Sequence, residues 1–194
     1  MRCIYICNGA SDVCAQVADF LSAATQAAAK LDANSDLAQK LDSALIYLGK
    51  PGVDNGVTVT PTALPQGLLA SAGNGGNINI DVKQISGTAA QIYAPANPGM
   101  SASALRNAVG AGDLLHEVRH LMDFQRLWGG NKPTDMASEY RTELNAYKTQ
   151  IGVERGLNMT GWSNPQMTED QLNAAAALGA QRSVDYWCAA KGNC

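Results

Sequence analysis

The chain has 194 residues, of which 46% are hydrophobic, enough to bury one substantial core and too few for two ordinary domains. A formal net charge of −3 with no Lys/Arg cluster argues against nucleic-acid or anionic-membrane partners. No apolar run reaches eighteen residues, and the N-terminal stretch is too short and too polar after Cys7 for a secretory signal, so no export address of the chain's own is expected.

In chain order, residues 3 to 7 alternate as a short strand does. Residues 12–30 and 36–48 read as Ala/Leu-rich amphipathic helices. Asn34-Ser35-Asp36 supplies the turn and cap between them, so a helical hairpin is expected over 12–48. Residues 49–76, rich in Gly, Pro, Asn and Thr, read as a surface loop with one strand near Val57–Thr60. The alternation of Ile78, Ile80 and Val82, then Ser86-Gly87-Thr88 and a second apolar run, predicts a β-hairpin over 77–94. Helices are expected from 101–103 to Trp128, stopping at Gly129-Gly130, and from Asp135 to Gly156, the second capped by Asn131-Lys132-Pro133-Thr134. If Gly110 and Gly112 interrupt the first, it starts instead at an Asp113 cap. Thr168-Glu-Asp-Gln171 opens a last helix to residue 190. The expected architecture is one α+β domain, mostly α.

Both histidines of the chain fall in His116-Glu117-Val118-Arg119-His120, an HExxH pattern. Positions i and i+4 share a helix face, so both imidazoles can reach one metal ion, while Glu117, about 100° round the helix, addresses a water at that ion. Only five glutamates occur in the chain, so a chance match is improbable. The expected cofactor is Zn2+, which in catalytic sites takes three protein ligands. No third histidine remains, and a carboxylate or cysteine must complete the set. Glu143, 23 positions after His120 on the next helix, is the first candidate, with Glu139 and Asp123 as competitors. Asp123 also suits a hydrogen bond to the outer nitrogen of a ligand histidine.

HExxH followed by Glu143-Leu144-Asn145-Ala146 on the next helix resembles the gluzincin metallopeptidases over roughly residues 100–150. That resemblance implies a minimal zincin-like fold, a small β-hairpin or sheet over the HExxH helix, and Glu143 as third zinc ligand. It also implies that a sheet edge pairs with an extended peptide substrate, for which 77–85 is the candidate segment. Thermolysin-like relatives carry an aspartate four residues after the ligand glutamate, where this chain has Tyr147. The implied activity is zinc-dependent peptide hydrolysis with Glu117 as general base. Tyr147, Tyr140 and Arg119 are candidates to steady the oxyanion, Tyr147 foremost. A cell-wall peptide amidase would use the same residues, and a non-catalytic zinc-stabilised binding module is the reading from a different class.

In size and motif the chain also resembles the small HExxH effector domains carried by bacterial polymorphic toxins of the Rhs type. That likeness implies delivery as part of a larger secreted toxin, or else a cytoplasmic location, and a cognate immunity protein as partner beside the peptide or protein substrate. Five cysteines gathered at the two ends suggest disulfides tying the termini to each other or to a neighbouring domain. A Cys3/Cys7/Cys14 metal site is a further possibility.

Overall fold

The computed structural model describes residues 4–49 and 54–191. The fold is α+β and mostly α. Its elements are β1 (Ile4–Cys7), α1 (Ser11–Ala28), α2 (Asp36–Leu48), β2 (Asp54–Pro61), β3 (Ala70–Ala72), β4 (Asn77–Ile80), α3 (Val82–Thr88), α4 (Ala102–Trp128), α5 (Met136–Gly156) and α6 (Glu169–Lys191).

Ser35 caps α2 as expected, accepting from the backbone N–H of Ala38, and Ser101 caps α4 by accepting from that of Ala104. α5 is capped by Asp135, which accepts from Ser138 N–H, one residue past the expected 131–134 cap. Thr168 and Gln171 exchange hydrogen bonds as a capping box at the head of α6. Gly129, at φ 60°, ends α4 in the left-handed conformation that a residue without Cβ adopts freely.

α4 runs unbroken through Gly110 and Gly112 at the centre of the core. Leu105, Ala108, Leu114, Leu115, Val118 and Phe124 are all buried. Gly110 is there for closeness rather than flexibility: a Cβ at this position would stand 2.6 Å from three ring atoms of the fully buried Phe20 in α1. α1, α2 and α5 pack about α4, and the sheet covers another of its sides.

The sheet has strand order β1-β2-β4-β3, with β1, β2 and β4 parallel and β3 antiparallel to β4. The expected hairpin over 77–94 is not formed. Asp81 ends β4 and caps a helix: its Oδ1 accepts from Gln84 N at 2.9 Å, and Gln84 Nε2 donates back to its Oδ2 at 2.9 Å. From there Val82, Ile85 and Ala89 follow helical spacing, and a π-helical turn over Ala89–Tyr93 continues α3. β4 therefore lies inside the sheet. The edge that borders α4 is β3, three small residues from the segment read as loop.

Cys7 and Cys14 form a disulfide that staples the end of β1 to the first turn of α1. This local bridge replaces, for those two residues, both the expected link between termini and the three-cysteine metal site. Cys3 and Cys194 lie outside the described residues.

Candidate metal centre

α4 and α5 pack side by side through facing polar rows. α5 presents Glu143, Tyr147, Gln150 and Glu154 at helical spacing, and α4 presents Asp113, His116, Glu117 and His120. At the open end His116 Nε2 and His120 Nε2 are 3.1 Å apart. Glu143 Oε2 lies 3.4 Å from His116 Nε2, and Glu143 Oε1 lies 3.4 Å from His120 Nε2. Donor atoms bound at about 2.0–2.2 Å to a tetrahedral zinc stand about 3.3–3.5 Å from one another, so the three side chains fit one ion with little movement. Glu143 Oε2 is buried and has no hydrogen-bond partner among the described residues, as a metal ligand would be before loading.

The same spacing shapes the charges. Burial works to discharge both partners, but the Glu143 carboxylate raises His120 to about 9, and the two histidines hold Glu143 well below the usual carboxylate range. The cavity is built to hold positive charge.

Glu117 also comes near, its oxygen lying within 4.8 Å of the histidine nitrogens. Its Oε2, however, accepts from the backbone N–H of Ala72 at 2.6 Å. Glu143 is the closer and better directed carboxylate. Glu139, one turn earlier and half-buried, adds to the negative field around His120.

The residue that orients the His116 ring is Gln150. Its Oε1 sits 3.2 Å from His116 Nδ1, and its Nε2 donates to Asp113 Oδ1 at 3.3 Å. A carboxylate oxygen accepts, so Asp113 turns the amide with its oxygen towards His116. The ring then carries its proton on Nδ1 and leaves Nε2 for a metal. Asp113 is half-buried, and desolvation pushes its carboxyl up to about 7. In the sequence it stands out only as a candidate helix cap, a role that the unbroken α4 removes.

Asp123 does not orient a histidine. It is buried, ion-paired to Arg119 Nη2 at 2.9 Å, and accepts from Asn145 Nδ2 at 2.9 Å. That clamp between α4 and α5 also engages Arg119 in a structural pair, away from the role of oxyanion donor. Tyr147 sets its ring edge-on to His116, centroids 4.8 Å apart, while its hydroxyl meets Ser183 Oγ of α6 at 3.2 Å. Tyr140 is half-buried in the first turns of α5.

Compared with protein-family models, curated proteins and solved structures, the chain matches none.

Proposed function

We propose that the chain is a zinc-dependent peptidase of gluzincin type. The observation that carries this reading is the triangle of His116 Nε2, His120 Nε2 and Glu143 carboxylate oxygens, 3.1–3.4 Å on its edges, with a second carboxylate, Glu117, beside it and outside it. A site meant only to stabilise the fold has no need of that second carboxylate.

Zinc held by His116, His120 and Glu143 would supply Lewis acidity and a water acidified towards neutral pH. Glu117 takes the proton of the attacking water. With Oε2 fixed by Ala72, the oxygen free to receive it is Oε1, and the same carboxyl returns the proton to the leaving amine. Substrate alignment falls to β3. Gly73 N and Leu69 O bond to β4, so by alternation the backbone groups of Ala70 and Ala72 point to the other side of β3, where the Ala72 N–H is taken by Glu117 and the Ala70 N–H and the two carbonyls remain for an extended peptide. Tyr147, whose ring flanks His116, is the nearest phenol available for the developing oxyanion once its hydroxyl leaves Ser183.

A role as a delivered effector is consistent with the Cys7–Cys14 disulfide, which favours an oxidising destination. The test of the peptidase reading is metal analysis of the purified protein, followed by mass-spectrometric mapping of cleavage in a peptide library with wild type and Glu117→Gln. One zinc per chain with Glu117-dependent cleavage supports it. A zinc-loaded, folded protein that cleaves no peptide removes it in favour of a binding module. Cleavage confined to cell-wall peptides makes the enzyme an amidase. Growth of bacteria expressing wild type or Glu117→Ala in cytoplasm or periplasm reads the effector role.

A further inference from the structure

Past the metal centre, two further elements flank the α4/α5 rows. One is the π-helical turn that ends at Tyr93. The other is the 160–163 loop between α5 and α6. Between them lies a cleft of about 320 Å³, faced by Ile92, Tyr93, Gly161, Trp162 and Arg182.

This cleft is held in shape before any ligand arrives. Buried Asn97 joins its walls: Nδ2 donates to Tyr93 O at 2.9 Å and to Thr160 O at 2.8 Å, and Oδ1 accepts from Thr160 N at 2.8 Å. One side chain thus locks together segments 63 residues apart. From below, buried Glu154 accepts from Ser163 N at 2.8 Å and from Ser163 Oγ at 3.0 Å. Gly161 admits no side chain, because a Cβ there would stand 2.4 Å from Glu154 Oε1 and 2.9 Å from Tyr93 Cε1. Two buried polar side chains and a sterically required glycine are more than a simple connection between helices needs.

The cleft begins one aromatic ring from the metal ligands. Tyr147 lies edge-on to His116 on one side and edge-on to Trp162 on the other, with centroids 4.8 and 4.9 Å apart. Over the Trp162 ring stands the guanidinium of Arg182, 5.7 Å from the centroid, and among the described residues no carboxylate pairs with it. An exposed guanidinium held over an aromatic ring, with no carboxylate partner among the described residues, suits a planar carboxylate.

We propose that this cleft receives the substrate residue beside the cleaved bond and that Arg182 selects a residue ending in a carboxylate. A glutamate side chain lays its methylenes on Trp162 and Ile92 and its carboxylate on Arg182. A peptide's C-terminal carboxylate presents the same group. The assignment rests on the peptidase reading, and its test separates the two.

With zinc-loaded protein, the cleavage map of a peptide library should show glutamate, or the chain terminus, enriched at one fixed position next to the cut. Matched peptides with Glu or Gln at that position, each with a free or amidated C-terminus, tell the side chain from the terminus as source. In Arg182→Gln the ratio of kcat/KM for the carboxylate peptide over its neutral partner should fall by about tenfold or more, and Arg182→Lys should restore part of it. Cleavage without acidic preference, or a preference that survives Arg182→Gln, overturns the proposal. Should nothing be cleaved, the peptidase reading falls, and the pocket is judged by calorimetric binding of N-acetyl-alanyl-glutamate against N-acetyl-alanyl-glutamine amide. Binding of the first alone, lost in Arg182→Gln, upholds the carboxylate site; equal or absent binding of both refutes it.

Discussion

The backbone N–H of Ala72, on the edge strand β3, donates to Glu117 Oε2 at 2.6 Å and so holds the proposed general base against the strand that would align substrate. Glutamine keeps an oxygen acceptor at that place and loses only the capacity to carry the proton. Glu117→Gln is therefore expected to retain zinc and fold while its rate falls by about a hundredfold or more. Zinc content, circular dichroism and turnover on one peptide check the three parts. Loss of zinc would make Glu117 a ligand and reverse its assignment with Glu143.

His116→Ala, His120→Ala and Glu143→Ala should each abolish stoichiometric zinc binding, and Glu139→Ala should keep it. pH provides a second reading. In the metal-free protein the Glu143 charge, outweighing burial, raises His120 to about 9, so near neutrality its ring is protonated and zinc must displace that proton. Zinc binding between pH 7 and 8 should release about one proton per ion, with apparent affinity rising about tenfold per pH unit. Calorimetry in buffers of different ionisation enthalpy measures this directly. Proton-neutral binding would contradict the site's electrostatics. The sign for the metal-free fold is the same: stability from His120 is present below about 6.5, its ordinary value, and is lost as pH rises through 9.

Gln150 turns its amide oxygen to His116 Nδ1 and its nitrogen to Asp113. Gln150→Leu, of similar bulk, should weaken zinc about ten- to hundredfold with the fold preserved. Asp123→Asn should act on stability through Arg119 and Asn145 and leave metal affinity nearly unchanged. The reverse pattern in a competition assay with a chelator would restore Asp123 to the metal site.

The α4 and α5 boundaries and the three ligand candidates were legible because caps, HExxH and the Gly129-Gly130 stop are local signals. Glu143 follows from knowing only that the two helices return on each other. Gln150 is a matter of register across that pair, which one strand of text does not contain. The hairpin over 77–94 failed because the alternation of Ile78, Ile80 and Val82 ran straight through Asp81-Val82-Lys83-Gln84. The Asp-to-Gln spacing there was itself a legible capping signal that should have stopped the strand. β3 was hidden for another reason: Ala70-Ser71-Ala72 has no strand preference of its own and is extended because β4 pairs with it. The cleft at Trp162 depends on Asn97 and Thr160, far apart in sequence, and no periodicity marks such a pair.

Gly110→Ala tests the close approach of α1 and α4. Alanine favours helix by up to about 1 kcal/mol over glycine, but its Cβ would enter the Phe20 ring, which is fully buried and has no room to retreat. The collision should win, lowering stability by about 1–3 kcal/mol in denaturant melts. Phe20→Leu, which shortens the opposing side chain, should cost less in the Gly110→Ala background than alone. Additive costs would place the strain elsewhere.

Glu154 gives the fold a pH dependence of its own. Burial raises its carboxyl to about 7 against hydrogen bonds from the 162–163 backbone and the Ser163 hydroxyl, which favour the charged form. The unfolded chain ionises this group near 4.5. Because the folded value is the higher, the folded state keeps the proton longer. Stability from this group is then greatest below 4.5, declines as pH rises towards 7, and is level above that. A shift of this size corresponds to about 3 kcal/mol. Glu154→Gln retains an acceptor for Ser163 N and does not titrate. Measured by urea melts at several pH values, wild type should lose about that much stability relative to the variant between pH 5 and 8. Taking the difference cancels His120, while Asp113, whose carboxyl the Glu154 charge helps to raise, enters through that coupling. Parallel profiles would mean that Glu154 is charged in the folded protein across that range, with its unpaired Oε1 reached by water or by a cation.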